Sequence, residues 1–156
     1  MISLTNTTYL RVFAVLAICG AAPPLLAAPT DAVRARIAAY RELGAAFKAV
    51  NDGLRAPTPD KAKLLASARK IRMSAAQQYR WFPRGSGPQA NVKTAAKPTI
   101  WTDNVGFKKA QDSFAAKAIA FERAAASGDP AAIRTVSRSL GATCKGCHDQ
   151  FRSETK

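Results

Sequence analysis

Cys144, Cys147 and His148 form a C-x-x-C-H string close to the C-terminus of a 156-residue chain. On a helix of roughly 3.6 residues per turn, thiols at i and i+3 and an imidazole at i+4 project from one side. This is the attachment signature of c-type haem. The two thiols form thioethers with the porphyrin vinyl groups, and the neighbouring imidazole lies under the iron. A dithiol redox pair or half of a zinc site would use the same spacing. Against both, His148 is the only histidine, and the one other cysteine, Cys19, lies in an N-terminal leader. A zinc shell would lack ligands. The expectation is one covalent haem c, with Cys144 and Cys147 as thioethers and His148 as the axial iron ligand.

Four amphipathic helices are predicted to carry this string. The first runs from about Thr30 or Asp31, an N-cap, to Leu54, with Val33, Ile37, Tyr40, Gly44, Phe47 and Leu54 on its apolar stripe. The second runs from about Asp60 to Trp81, with Leu64, Ala68, Ile71, Ala75, Tyr79 and Phe82 aligned. Residues 83–102 are rich in Pro, Gly and small polar side chains and read as a long irregular crossing. The third helix starts near Thr102 or Asp103 and ends at about Ser127. Gly128-Asp129-Pro130 then supplies a C′ glycine, an N-cap and an N1 proline in succession. The last helix aligns Ile133, Val136, Leu140, Cys144, Cys147 and Phe151. No segment reads as a strand. The fold class is therefore all-α, an antiparallel up-down-up-down four-helix bundle. Because the cysteines fall on the core stripe, the haem belongs in the bundle core, and the chain without it is expected to fold poorly.

Residues 1–28 read as a removed secretory signal: Arg11, an apolar run from Val12 to Ala22, then the small Ala27-Ala28. The run is too short to span a membrane, so no membrane anchor is expected. Residues 29–156 form one domain, periplasmic after export, which suits thiol chemistry carried out away from the reducing cytoplasm. The formal charge of +14 favours acidic partners and fast, salt-sensitive encounters. Nucleic acid is not expected, because the basic residues are spread along every helix and the chain is exported.

The sequence resembles the class II cytochromes c, the cytochrome c prime group. The resemblance spans Val33 to Arg152. It rests on Cys144 to His148 near the chain's end with Asp149-Gln150-Phe151-Arg152 behind, and on Lys97-Pro98-Thr99-Ile100-Trp101 opening the third helix. Arg36 four residues before Tyr40, and Phe82-Pro83 closing the second helix, match as well. It implies single-electron transfer or binding of small gases such as nitric oxide and carbon monoxide; no enzymatic activity is expected, because no second ionisable residue is placed to work on a bound peroxide. It also implies that Tyr40 faces the distal side and that Arg36 meets a haem propionate, while family members often form homodimers through their first two helices. Trp101, Phe82, Tyr79 and Phe151 are expected pocket walls.

The sixth iron position is read from the helical wheel. Met73 is the only methionine beyond the leader and lies on the far side of its helix from the apolar stripe. A phenol with an ordinary pKa of about 10 is costly to deprotonate as a ligand. Five-coordinate, high-spin iron follows, and the alternative is a low-spin electron carrier using Met73 or Tyr40 as sixth ligand.

Overall fold

The computed structural model describes residues 28–154, and the leader lies outside the described residues, apart from Ala28 at its end. Four long helices, α1 (Pro29–Arg55), α2 (Lys61–Gln77), α4 (Asn104–Ser127) and α5 (Pro130–Phe151), make the bundle, with one short helical turn, α3 (Thr99–Thr102), before α4. Among the described residues there is no strand, only an isolated bridge between Ala96 and Arg152.

Local chemistry sets most of the boundaries. The carboxylates of Asp60, Asp103 and Asp129 accept hydrogen bonds from the free N–H groups of Lys63, Gly106 and Ala131 at the starts of α2, α4 and α5. Gly128 ends α4 at φ 78°, and a Cβ there would lie 2.7 Å from the Lys61 side chain, so both backbone and space demand glycine. The first helix departs from expectation. Pro29 occupies its first turn behind Ala28, and neither Thr30 nor Asp31 caps it.

Val50, Leu54, Leu64, Ile71, Phe114, Phe121, Ile133 and Leu140 fill the main core. Burying each side chain of this size contributes about 1.5–3 kcal/mol before conformational entropy is charged against it. The ion pairs lie on exposed surfaces, where such pairs contribute little. Alanines 68, 75, 118 and 125 are buried too and bring α2 and α4 close together.

Two corrections matter for the site. After Gln77 the chain tightens into a 3-10 turn over Gln78–Arg80, which rotates Gln78 inward and leaves Tyr79 42% exposed. Gln78 and Gln111 then donate their side-chain amides to each other's backbone carbonyls at 3.2 and 3.1 Å, closing the α2–α4 seam with buried polar groups that are satisfied. The long connection is also more ordered than its composition suggests, with a 3-10 turn at Pro88–Ala90 and α3 at its end.

Candidate haem-binding site

Neighbouring helices pack along their lengths in the pairs α1–α2, α2–α4 and α4–α5, whereas α1 and α5 meet only slightly. The chemistry-bearing side chains gather along that seam. From α5, Cys144 packs on the main core, and Cys147 packs on a second cluster built from Ile100, Phe107 and Phe151 with Phe82, Ala96, Trp101 and Ala110. Both thiols are free and half-buried. Burial raises the Cys144 pKa, and burial together with the neighbouring Cys144 lifts Cys147 to about 11. Neutral thiols of this kind do not match a dithiol redox pair, whose attacking sulfur is held as a thiolate by a depressed pKa. His148 is exposed beside a groove lined by Lys97, Asp149, Arg152, Ser153 and Glu154. Partial burial and then the Arg152 cation lower its pKa, with Asp149 opposing them. The neutral, metal-binding form of the imidazole is thereby favoured.

From α1, Tyr40 comes within electrostatic reach of both thiols. Its phenol is held well above the usual range by burial first, then by Cys147 and Cys144, with Arg36 opposing. Its ring meets Trp81 edge-on at 4.7 Å between centroids and Phe82 at 6.1 Å. A Cβ on Gly44, one turn on, would touch nothing within 4 Å. Aromatic contacts continue from Phe82 to Trp101 at 6.0 Å, from Phe82 to Phe107 at 4.9 Å and from Phe107 to Phe151 at 5.1 Å. Trp101 donates its indole N–H to the Pro83 carbonyl. Tyr79 is more peripheral: its hydroxyl donates to Asp112 at 2.8 Å, and it borders a small hollow at the α2–α4 side with Phe82 and Trp101.

Arg36 is the unexpected member of the core, only 2% exposed. It donates to Ser86 Oγ at 2.9 Å and Thr94 Oγ1 at 3.0 Å, and its guanidinium lies over the rings of Phe82 (4.8 Å) and Trp101 (5.6 Å). Burial lowers its pKa. No carboxylate pairs with it among the described residues. A buried cation held only by hydroxyls and ring faces still has room in its charge balance for an anion. Ser86 and Thr94, which hold it, escape sequence reasoning because they come from a distant loop. Trp81 does carry a signal, standing in the aromatic run Tyr79-Arg80-Trp81-Phe82.

The donor set fits a haem c. Among the described residues no group of three His, Cys, Asp or Glu side chains is placed to hold a metal ion. Two adjacent half-buried thiols, an exposed imidazole and a buried cation with no carboxylate partner among the described residues are a donor set that suits such a carboxylate-bearing macrocycle. The family model described as Cytochrome C' matches residues 31–152. The chain belongs to the cytochrome c′ family. A cytochrome c′ from Rubrivivax gelatinosus is 32% identical over 126 residues, covering 81% of this chain and 97% of that protein. The crystal structure of the cytochrome c′ of that organism superposes with a TM-score of 0.76 at 30% identity, covering 82% of this chain and 99% of its own. A nitric oxide complex of a variant cytochrome c prime from Alcaligenes xylosoxidans superposes at 0.74 with 29% identity, covering 83% and 99%. Membership establishes the fold as the four-helix bundle of cytochrome c′ and the cofactor as one covalent haem c, for which Cys144 and Cys147 supply the C-x-x-C-H sulfurs.

Proposed function

We propose that this cytochrome c′ is an exported, periplasmic protein that exchanges single electrons and binds small gases, nitric oxide and carbon monoxide among them, and that it is not an enzyme. The bound haem would supply a redox-active iron with an axial position open to a diatomic ligand. Cys144 and Cys147 would anchor it, His148 would hold the iron from the proximal side, and Arg36 would neutralise a propionate with a fork suited to a carboxylate. Phe82, Trp101 and Phe151 would wall the pocket and keep water out, with Tyr79 at its margin. The nitric oxide complex of the Alcaligenes relative supports the gas-binding part of the reading.

The observation that carries the high-spin assignment is Tyr40. It is the α1 side chain within electrostatic reach of the thiols, and burial, which pushes its phenol pKa up, supports a protonated, non-ligating ring. Met73 is 56% exposed on the outer side of α2, which supports its exclusion as a sixth ligand. Ferric and ferrous absorption spectra of the matured protein test the assignment. High-spin spectra with ready carbon monoxide uptake are expected. A low-spin spectrum with a methionine-to-iron charge-transfer band would overturn it. The +14 charge suits an acidic redox partner, and no helix among the described residues is long and apolar enough to cross a membrane.

A further inference from the structure

The 3-10 turn that ends α2 does more than bury Gln78. It takes Tyr79 off the apolar stripe and brings its hydroxyl to α4, where it donates to Asp112 Oδ1 at 2.8 Å across 33 residues of sequence. Lys108, one turn before Asp112, holds the two carboxylate oxygens at 2.9 and 2.7 Å, and its ammonium stands 5.8 Å from the centre of the Tyr79 ring. The hydrogen bonds from Lys108 and then from Tyr79 hold the Asp112 carboxyl below its usual range, so it is ionised and free to accept a proton.

The described residues include four rings that can lose a single electron: Tyr40, Tyr79, Trp81 and Trp101. Losing an electron turns a phenol or an indole into a strong acid. The ring that yields its electron most readily is therefore the one whose proton can drop straight onto a base. Of the four, Tyr79 alone donates to a carboxylate. Trp101 donates to the neutral Pro83 carbonyl, and among the described residues the Tyr40 hydroxyl and the Trp81 indole N–H donate to no protein group. Position agrees with chemistry. Phe82 meets Tyr40 at 6.1 Å, Trp101 at 6.0 Å and Phe107 at 4.9 Å, and Tyr79 borders the same hollow as Phe82, Trp101 and Phe107. It stands at the α4 end of the aromatic wall.

We propose that Tyr79 and Asp112 form a proton-coupled electron donor: a one-electron oxidant, of the outer-sphere metal-complex class, takes an electron from the Tyr79 ring, the hydroxyl O–H bond breaks, and the proton joins Asp112 Oδ1. The products are a neutral phenoxyl radical, a protonated carboxyl and an oxidant reduced by one electron. When a reductant returns the electron, the proton crosses back. Lys108 favours the coupled step, because its charge opposes a cationic ring but not a neutral phenoxyl. The Lys108–Asp112 pairing that protonation weakens is exposed and contributes little. The inference goes beyond electron exchange and gas binding at the haem. It makes Tyr79 the place where an oxidising equivalent that reaches the aromatic wall comes to rest.

The test uses the haem-loaded ferric protein, with photogenerated ruthenium(III) tris-bipyridine as the oxidant. Electron paramagnetic resonance of freeze-quenched samples carrying ring-deuterated tyrosine or tryptophan identifies the radical, and the decay of the oxidant after a flash gives the rate. A tyrosyl signal is expected that persists in Tyr40→Phe and disappears in Tyr79→Phe. Wild-type oxidation should be slower in heavy water and independent of buffer concentration, because the proton goes to a fixed base. Asp112→Asn should slow it about tenfold or more and make the remainder depend on buffer base, whereas Asp112→Glu, which keeps a carboxylate, should restore the signal. A wild-type radical on Tyr40 or a tryptophan, no radical at all, or an Asp112→Asn rate within about twofold of wild type overturns the proposal. Asp112 is exposed, so circular dichroism and the Soret band should match wild type in every Asp112 variant. A folded but colourless protein that still forms the Tyr79 radical would sink the haem reading and leave the pair standing.

Discussion

Replacing Arg36 with methionine separates two roles for a buried cation. In the chain alone, Arg36 gains two hydrogen bonds at 2.9 and 3.0 Å and two ring-face contacts at 4.8 and 5.6 Å. Charged hydrogen bonds contribute about 1.5–3 kcal/mol each, and desolvated cation–π contacts about 1–2 kcal/mol each. Desolvating the guanidinium costs several kcal/mol, so without an anion these terms nearly offset one another. The hydroxyls are not orphaned by the substitution either. Ser86 still donates to the Pro83 carbonyl at 2.7 Å, and Thr94 still accepts from the Ala96 N–H at 3.2 Å. A methionine of similar length should therefore cost no more than about 1 kcal/mol if Arg36 only pins the loop. If it also neutralises a propionate, the substitution strands a buried carboxylate and costs about 3–5 kcal/mol. For a domain of this size that is a fall of roughly 10–20 °C in Tm. Guanidinium and thermal unfolding of the haem-loaded Arg36→Met protein, followed by circular dichroism, measure the difference. Arg36→Lys, which keeps charge without the fork, should fall between. A loss below about 1 kcal/mol with an unaltered Soret band would refute the pairing.

Tyr40→Ala should speed carbon monoxide association about tenfold or more if the ring shields the distal side, a barrier change of about 1.4 kcal/mol; flash photolysis reads the rate directly, and an unchanged rate removes the ring as a gate. Because burial raises the Tyr40 pKa in the folded state, the stability linked to its proton is whole below the unfolded value of about 10 and is lost as pH rises through the folded value. Tyrosinate absorbance should accordingly show Tyr79 titrating before Tyr40, and Tyr40→Phe should flatten the alkaline part of the stability profile. Ser153→Pro removes the N–H that donates to the Ala95 carbonyl at 2.8 Å; a loss of about 1–2 kcal/mol and faster amide exchange at Lys97 are expected, and protection at Lys97 equal to wild type would count against a strap there.

Local signals made the helix boundaries legible. Asp60, Asp103 and the Gly128-Asp129-Pro130 run act within a turn of themselves, so their meaning survives without tertiary context. The C-x-x-C-H string is equally local, and its position in the chain pointed to the family. What sequence concealed is long-range. Arg36 becomes a core residue only because Ser86 and Thr94, 50 and 58 positions away, fold back over it. Gln78 displaced Tyr79 from the core because the last turn of the helix tightened, and an amide partner on α4 made burial affordable. A wheel drawn at 100° per residue sees neither effect. It did place Met73 outward, since that residue lies in the regular part of α2.

The connection between α2 and α4 is fastened at two places, to Arg36 by Ser86 and Thr94 and to the end of α5 by the Ala95 and Lys97 backbone. It therefore ties together the two helices that hardly touch each other. Such a clasp tolerates length changes unequally. A residue inserted between Asn91 and Lys93, where the backbone already turns through φ 53° at Asn91, would bulge harmlessly into water. The same insertion between Thr94 and Lys97 would slip the register against Phe151 and drag on the arginine beneath. A fluorophore or affinity handle meant to leave the iron undisturbed belongs in the first window and not in the second.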